Sequence, residues 1–92
     1  MLKKIQDKYN EILFEQNRLE GNWLAGIGEF AKALEFYEKC LRITRKATTY
    51  NNISVIVNKT SCLLKLEQFS RCVSECNDAL RLVRNYKSKE IT

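Results

Sequence analysis

The stretch GIGEFAKALEFYEKCLRI, residues 26–43, and the stretch LKLEQFSRCVSECNDALRLV, residues 64–83, follow one pattern of apolar and small residues. Phe30 recurs as Phe69, 39 positions later. Six more positions repeat at that distance, where Gly21, Leu24, Ala33, Tyr37, Cys40 and Leu41 are matched by Thr60, Leu63, Cys72, Cys76, Ala79 and Leu80. A period of about 20 to 50 residues is typical of solenoids, which usually hold another molecule in a groove. The repeat therefore predicts an all-α chain of two tandem antiparallel helical hairpins that binds rather than catalyses.

The first hairpin is predicted from apolar spacing and from glycine positions. Apolar residues three and four apart indicate one long helix from residue 2 to near Gly26, with Ile5, Tyr9, Ile12, Leu13, Leu19, Trp23, Leu24 and Ile27 on its stripe. Glycine supplies the left-handed conformation that ends a helix, so we expect a stop at Gly26 or Gly28. Tyr9 and Trp23 are interpreted as core or capping residues. A second helix, residues 30–41 and at most to Thr44, returns antiparallel after a short link.

The second hairpin follows a polar break at residues 45–52. A third helix is predicted from residue 52 or 53 to about 66, and a fourth from about 69 to 83. Its inward positions would be Phe69, Cys72, Val73, Cys76, Ala79, Leu80 and Val83. The domain limits are a helical extension at 1–16, repeat 1 at about 17–45, repeat 2 at about 52–84, and a tail or the start of a capping helix at 85–92.

Composition narrows the class of protein. The 92 residues suit one small domain, and 45% apolar with 29% charged residues is ordinary for a globular chain. The start lacks an apolar leader and no run is long enough to span a membrane, so a cytoplasmic or nuclear location without a membrane partner is expected. The four cysteines come without histidine or a C-x-x-C motif, which favours reduced thiols and no metal or cofactor. No nucleophile with a plausible base is present, so an enzyme is not expected.

Positive charge is concentrated in two stretches that contain no acidic residue. The net charge is +5, and between Glu38 and Glu67 the charged residues are Lys39, Arg42, Arg45, Lys46, Lys59 and Lys65. The second stretch, residues 80–89, carries Arg81, Arg84, Lys87 and Lys89. These cations either form a solvated face or attract an acidic partner. A nucleic-acid partner, contacted through Arg42, Arg45, Lys46 and Lys65 with Tyr50, is an alternative, although the sequence has no known RNA-binding or DNA-binding motif.

Residues 18–83 resemble the tetratricopeptide repeat, a helical hairpin with a small residue in helix A and a Gly-x-aromatic turn. Small, aromatic and small residues then follow down helix B. The first copy matches this pattern at Gly21, Leu24, Gly28, Phe30, Ala33, Tyr37 and Cys40. The second copy departs from it at Glu67, where glycine is usual, and at Cys76, where an aromatic residue is usual. The closing proline is absent from both copies, and we expect these departures to loosen the turns.

Within that family the chain looks closest to co-chaperones whose groove holds the acidic C-terminal Glu-Glu-Val-Asp tail of seventy- and ninety-kilodalton heat-shock proteins. The resemblance implies a carboxylate clamp in which Arg18 and Asn22 match the first helix and Asn58 with Lys59 match an Asn-Arg pair of the third. Lys89 or Lys87 would match a fifth-helix lysine, and the arginine of that helix would fall at or past the last residue. Helical periodicity places Arg18 and Asn22 on one side of a helix, and a solenoid brings its A helices together on the concave wall.

The function expected from this resemblance is an adaptor that binds a chaperone tail through Arg18, Asn22, Asn58, Lys59 and Lys89, alone or within a larger multi-protein assembly. The alternative is a repeat scaffold that binds another protein, or itself, without an acidic tail. Polar residues at these positions of an A helix are also compatible with a merely solvated surface.

Overall fold

The computed structural model describes residues 2–43 and 49–91, including their side chains apart from those of residues 49, 50, 82 and 85–91. Its element order is α1 (Leu2–Gly26), α2 (Phe30–Ile43), α3 (Thr49–Lys65) and α4 (Phe69–Ile91). No strand occurs in these ranges. Helices α1 and α2 form one antiparallel hairpin, α3 and α4 form the second, and α2 packs against α3. The predicted all-α, tetratricopeptide-like pair of hairpins is confirmed.

The two hairpin turns have the same geometry despite their different sequences. In the first, Gly28 has a φ of 87°, and the Glu29 amide donates to the Leu24 carbonyl at 2.8 Å. In the second, Glu67 has a φ of 61°, and the Gln68 amide donates to the Leu63 carbonyl at 2.9 Å. These bonds satisfy carbonyls that a helix end would otherwise leave unpaired. The expected loosening of the second turn is therefore absent from the hydrogen bonds, and Glu67 takes on the left-handed strain instead.

The core lies where the two hairpins meet. Its buried members are Phe14, Leu24, Ala33, Leu34, Tyr37, Cys40, Val55, Cys62 and Leu63. All come from α1, α2 and α3, which pack against one another, whereas α4 packs only against α3 among the described helices. Cys40 and Cys62 form no disulfide, and burial raises the pKa of both, that of Cys40 to about 11. They act as small apolar core residues, as expected.

Three expectations about the outer helices are wrong. Tyr9 and Trp23 are exposed rather than part of a core or cap. On α4, Phe69, Val73, Cys76 and Leu80 are also exposed, although their apolar spacing predicted an inward face. Finally, α4 does not end near Val83, since the helix continues without a break to Ile91. Apolar spacing defines a helix face, but only a neighbouring element buries it.

The predicted break between the two hairpins lies only partly within the described residues. The third helix begins at Thr49, three or four residues earlier than expected. Residues 44–48, which include the possible last residue of the second helix and most of the predicted polar break, lie outside the described residues.

Candidate functional site

A cluster of polar side chains joins the two A helices, α1 and α3. The side-chain amide of Asn58 donates from Nδ2 to Oδ1 of Asn22 at 3.2 Å. The hydroxyl of Tyr37, which reaches across from α2, donates to the same oxygen at 2.7 Å. Among the described residues, no acceptor is found for the Nδ2 of Asn22. Its two N–H donors therefore remain available to a ligand.

Tyr37 can occupy this position because α1 has a glycine opposite the ring. A Cβ at Gly21 would lie 2.7 Å from Cε1 and 2.9 Å from Cδ1 of Tyr37, well inside van der Waals contact. The tyrosine is almost fully buried, and this burial raises the pKa of its hydroxyl to about 12. At neutral pH the group is protonated and serves as a donor. The contact between Gly21 and Tyr37 therefore fixes the orientation of the Asn22 amide.

A cavity of about 380 Å³ opens beside this cluster. Its lining residues come from α1, α2 and α3 and comprise Asn22, Ala25, Phe30, Tyr37, Asn58, Ser61, Cys62 and Lys65. Two amides, two hydroxyls and an ammonium supply hydrogen-bonding groups, while Phe30 and Ala25 supply apolar surface. We call this cavity the groove. A few convergent polar groups in a partly apolar cleft are the usual composition of a binding site.

The structure brings together only part of the predicted clamp. Asn22 and Asn58 meet in the groove. Arg18 lies one turn before Asn22 and is not among the lining residues; its Nε donates to Oε2 of Glu15 at 3.1 Å. This pair raises the pKa of Arg18 and lowers that of Glu15, mainly through the hydrogen bond between them.

Lys59 does not reach the groove. It is the buried charged residue of the described core, and its ammonium lies 2.8 Å from Glu75 on α4 and 3.7 Å from Glu38 on α2. Residues 58 and 59 are adjacent in the chain, and adjacent residues of a helix point about 100° apart. The resemblance treats residues 58 and 59 as one pair, but Asn58 lies in the groove and Lys59 lies beside Glu38 and Glu75. The side chain of Lys89 lies outside the described side chains.

Sequence reasoning missed Lys65, Ser61 and Tyr37 as groove residues. Lys65 follows Asn58 by seven positions on α3, so helical periodicity places both on one face. That signal was available from the sequence, but it predicted Lys65 only as part of the basic stretch and of the alternative nucleic-acid contact. Tyr37 was assigned to packing alone because its repeat position is apolar; only the structure shows its hydroxyl reaching an asparagine.

The hairpins and the groove define the class of this chain as a helical-repeat module with an open cleft. Within residues 2–43 and 49–91, no helix combines the length and apolarity needed to cross a membrane. The same described part of the chain contains no cluster of three or more histidine, cysteine or acidic side chains that could hold a metal ion.

Comparison with curated proteins connects the chain to two longer proteins. It is 32% identical over 73 residues to sperm-associated antigen 1 of Rattus norvegicus, covering 79% of this chain and 8% of that protein. The human protein of the same name matches at the same identity over 7% of its length. The Hsp70/Hsp90 co-chaperone CNS1 of Saccharomyces cerevisiae is 31% identical over 68 residues, 74% of this chain and 17% of that protein.

The chain thus spans less than a fifth of each of these relatives, one of which is named as a co-chaperone. No protein-family model matches the chain. No solved structure matches it significantly.

Proposed function

We propose that this chain is a co-chaperone-like adaptor module whose groove binds the acidic C-terminal tail of a heat-shock chaperone of the seventy- or ninety-kilodalton class. The observation that carries the proposal is the convergence of Asn22 and Asn58 beside Lys65, with the donors of Asn22 left open. The similarity to a protein named as an Hsp70/Hsp90 co-chaperone supports the same partner class. The cytoplasm or nucleus is the proposed location, where free thiols stay reduced.

The chemistry of the groove suits a terminal carboxylate. Such a tail carries a main-chain carboxylate and an aspartate side chain, and both accept charge-assisted hydrogen bonds from amide and ammonium donors. Asn22, Asn58 and Lys65 would supply those donors, while Phe30 would pack against the apolar residue before the aspartate. Recognition of a free C terminus by convergent donors is an established mode of peptide binding.

Arg18 would add a charge once its guanidinium leaves Glu15. That pair lies within one helix and one turn, and its carboxylate is more than half exposed. Exposed pairs of this kind are worth about 1 kcal/mol or less, so exchange for a ligand carboxylate is inexpensive. Lys59 is omitted from the proposed contacts because Glu38 and Glu75 hold it elsewhere. A role for Lys89 stays a prediction.

The test is a calorimetric titration of the 92-residue chain with a Met-Glu-Glu-Val-Asp peptide and with the same peptide amidated at its C terminus. We expect the amidated peptide to bind at least about tenfold more weakly, since a charge-assisted bond worth about 1.5–3 kcal/mol is lost. Asn58→Ala and Lys65→Ala should each weaken binding of the free peptide by a similar factor.

The matched control is Lys32→Ala, which removes an exposed lysine of α2 that does not line the groove. It should leave affinity unchanged. Circular dichroism would establish that each variant keeps its helices. Equal binding of free and amidated peptides, or equal effects of Lys65→Ala and Lys32→Ala, would reject the clamp and favour a scaffold with another ligand.

A further inference from the structure

The outer face of α4 is exposed at positions that α2 buries. Val73 occupies the repeat position of Leu34, yet Val73 is 60% exposed and Leu34 only 6%. Cys76 is likewise exposed at the position of the buried Tyr37. The face of α2 is buried because α3, the first helix of the next hairpin, packs against it. Among the described residues, no helix of a further hairpin packs against the equivalent face of α4. The exposed face of α4 is therefore equivalent in position to the face of α2 that packs against the A helix α3.

The outer face of α1 shows the complementary difference. Trp23 occupies the repeat position of Cys62, but Trp23 is 59% exposed and Cys62 only 2%. Glu20 is exposed at the position of the buried Lys59. By contrast, Leu24 and its counterpart Leu63 are both buried, because both belong to packing inside a hairpin. The face of α1 around Trp23 is therefore equivalent in position to the buried face of α3, although the exposed Gln16 stands where α3 buries Val55.

Side-chain sizes on these two open faces are complementary. The contact between α2 and α3 is called the internal junction. There the large Tyr37 of α2 and the small Cys62 of α3 are both buried and both line the groove. Carrying that junction forward by one repeat places Cys76 of α4 opposite Trp23 of a second copy. The large and small partners are exchanged, so their combined volume is nearly kept, and volume-conserving exchanges are the ones that packed interfaces tolerate best.

Charges on the open faces are also compatible. At the internal junction Lys59 pairs with Glu38 at 3.7 Å. The corresponding residues are Glu20 on α1 and Asn77 on α4. The side-chain amide of Asn77 can donate a hydrogen bond to the carboxylate of Glu20 in a second copy, whereas a glutamate at position 77 would repel it. Glu20 thus stands in place of Lys59 and Asn77 in place of Glu38, and this pair of residues does not repel.

The lengths of the outer helices extend this match. α1 has 25 residues and α4 has 23, against 14 and 17 for the helices packed inside. In the antiparallel arrangement of α2 and α3, the later part of an α4 helix lies beside the earlier part of an α1 helix. The earlier part of α1 carries exposed charges of both signs, Lys3, Lys4 and Lys8 with Asp7, Glu11 and Glu15, so it presents no net charge to the exposed Arg81 and Arg84 of α4.

We propose that the chain associates head to tail with a second copy of itself, the face of α4 that contains Val73 and Cys76 packing on the face of α1 that contains Trp23. The contact repeats the internal α2–α3 junction between molecules. It is heterologous, so each added copy leaves one open face at each end and the assembly grows by mass action. The groove residues are not required for it, which makes the inference independent of the proposed ligand.

Complementation between two charged variants tests the inference. Trp23→Glu blocks the α1 face and leaves α4 intact, whereas Val73→Glu blocks the α4 face and leaves α1 intact. In sedimentation velocity over roughly a hundred-fold range of concentration, the average mass of the unmodified chain should rise. Each variant alone should remain monomeric. An equimolar mixture should form a dimer and stop there, because only one intact pair of faces is available.

Val57→Glu is the matched control, since Val57 is a similarly exposed apolar residue on α3, outside both end faces. It should associate like the unmodified chain. Both end-face residues are exposed, so the helical circular dichroism of all three variants should be unchanged. Three results overturn the proposal: a monomeric unmodified chain at every concentration, self-association of either end-face variant alone, or a mixture that stays monomeric.

Discussion

Gly21 of α1 lies directly against the ring of Tyr37 of α2, and this single residue supports both the core and the groove. Gly21→Ala would put a Cβ 2.7 Å from the Tyr37 ring. Overpacking of a core costs about 1–3 kcal/mol, and the gain of about 1 kcal/mol in helix propensity offsets only part of it. We expect a lower midpoint of urea unfolding and, because Tyr37 orients Asn22, weaker binding of the acidic peptide.

Gly26→Ala is the control on the same helix, since a Cβ there meets nothing within 4 Å. It should leave the unfolding midpoint unchanged or raise it. If the two alanine variants have the same stability, the close contact with Tyr37 is not a constraint.

Individual residues of the site were predictable to different degrees. Asn22 and Asn58 were predicted from the family resemblance, and the structure places Nδ2 of Asn58 3.2 Å from Oδ1 of Asn22. Tyr37 was not, because an aromatic residue on the apolar stripe of a helix gives no sign that its hydroxyl has a polar partner. Lys59 was assigned to the groove although its ammonium lies between Glu38 and Glu75.

At the scale of elements, the turn between α3 and α4 contains strain that the turn between α1 and α2 avoids. Glu67 has a φ of 61°, a conformation that costs a residue with a Cβ about 1–2 kcal/mol and costs glycine almost nothing. Glu67→Gly should therefore stabilise the chain by up to about 1 kcal/mol, after the greater backbone entropy of glycine in the unfolded state is subtracted. Urea unfolding at neutral pH measures this change.

Gly28→Ala makes the reverse exchange in the first turn, where φ is 87° and space is open. It should destabilise the chain, because an alanine is strained at this positive φ even though its Cβ would contact no other atom. A destabilising Glu67→Gly would mean that the glutamate side chain contributes more than the conformation costs.

The existence and order of the helices were predictable because hairpin packing demands apolar residues at helical spacing and a turn residue between them. The end of α4 was not, since polar residues after Val83 can continue a helix as readily as end it. The second turn was recognised from its repeat position even though glutamate replaces the expected glycine.

Across the whole molecule, Lys59 is the buried cation in the ion pairs that join the two hairpins within the described residues. Its ammonium contacts Glu38 of the first hairpin and Glu75 of the second. Lys59→Met keeps the apolar stem and removes the charge, which leaves Glu75 without a cation among the described residues and Glu38 with Arg71 alone. We expect a loss of about 1.5–3 kcal/mol in the free energy of unfolding, the usual range for a buried hydrogen bond to a charged group.

Arg71→Ala is the matched control, because Arg71 also pairs with Glu38, at 3.0 Å, but is about half exposed. Exposed pairs contribute less than about 1 kcal/mol, so this variant should lose less stability than Lys59→Met. In a Glu75→Gln background the effect of Lys59→Met should shrink, since coupled residues are not additive. Equal losses for the lysine and arginine variants would show that Lys59 does not link the hairpins.

Periodicity and the 39-residue repeat were sufficient to establish two tandem helical hairpins, because local spacing and turn residues are written in the chain. Which face each helix buries was decided by its neighbours. Leu34 and Val73 occupy the same repeat position, but α3 covers one and no described helix covers the other. Lys59 binds Glu38 and Glu75 for the same reason, since contacts between hairpins depend on how whole helices are packed.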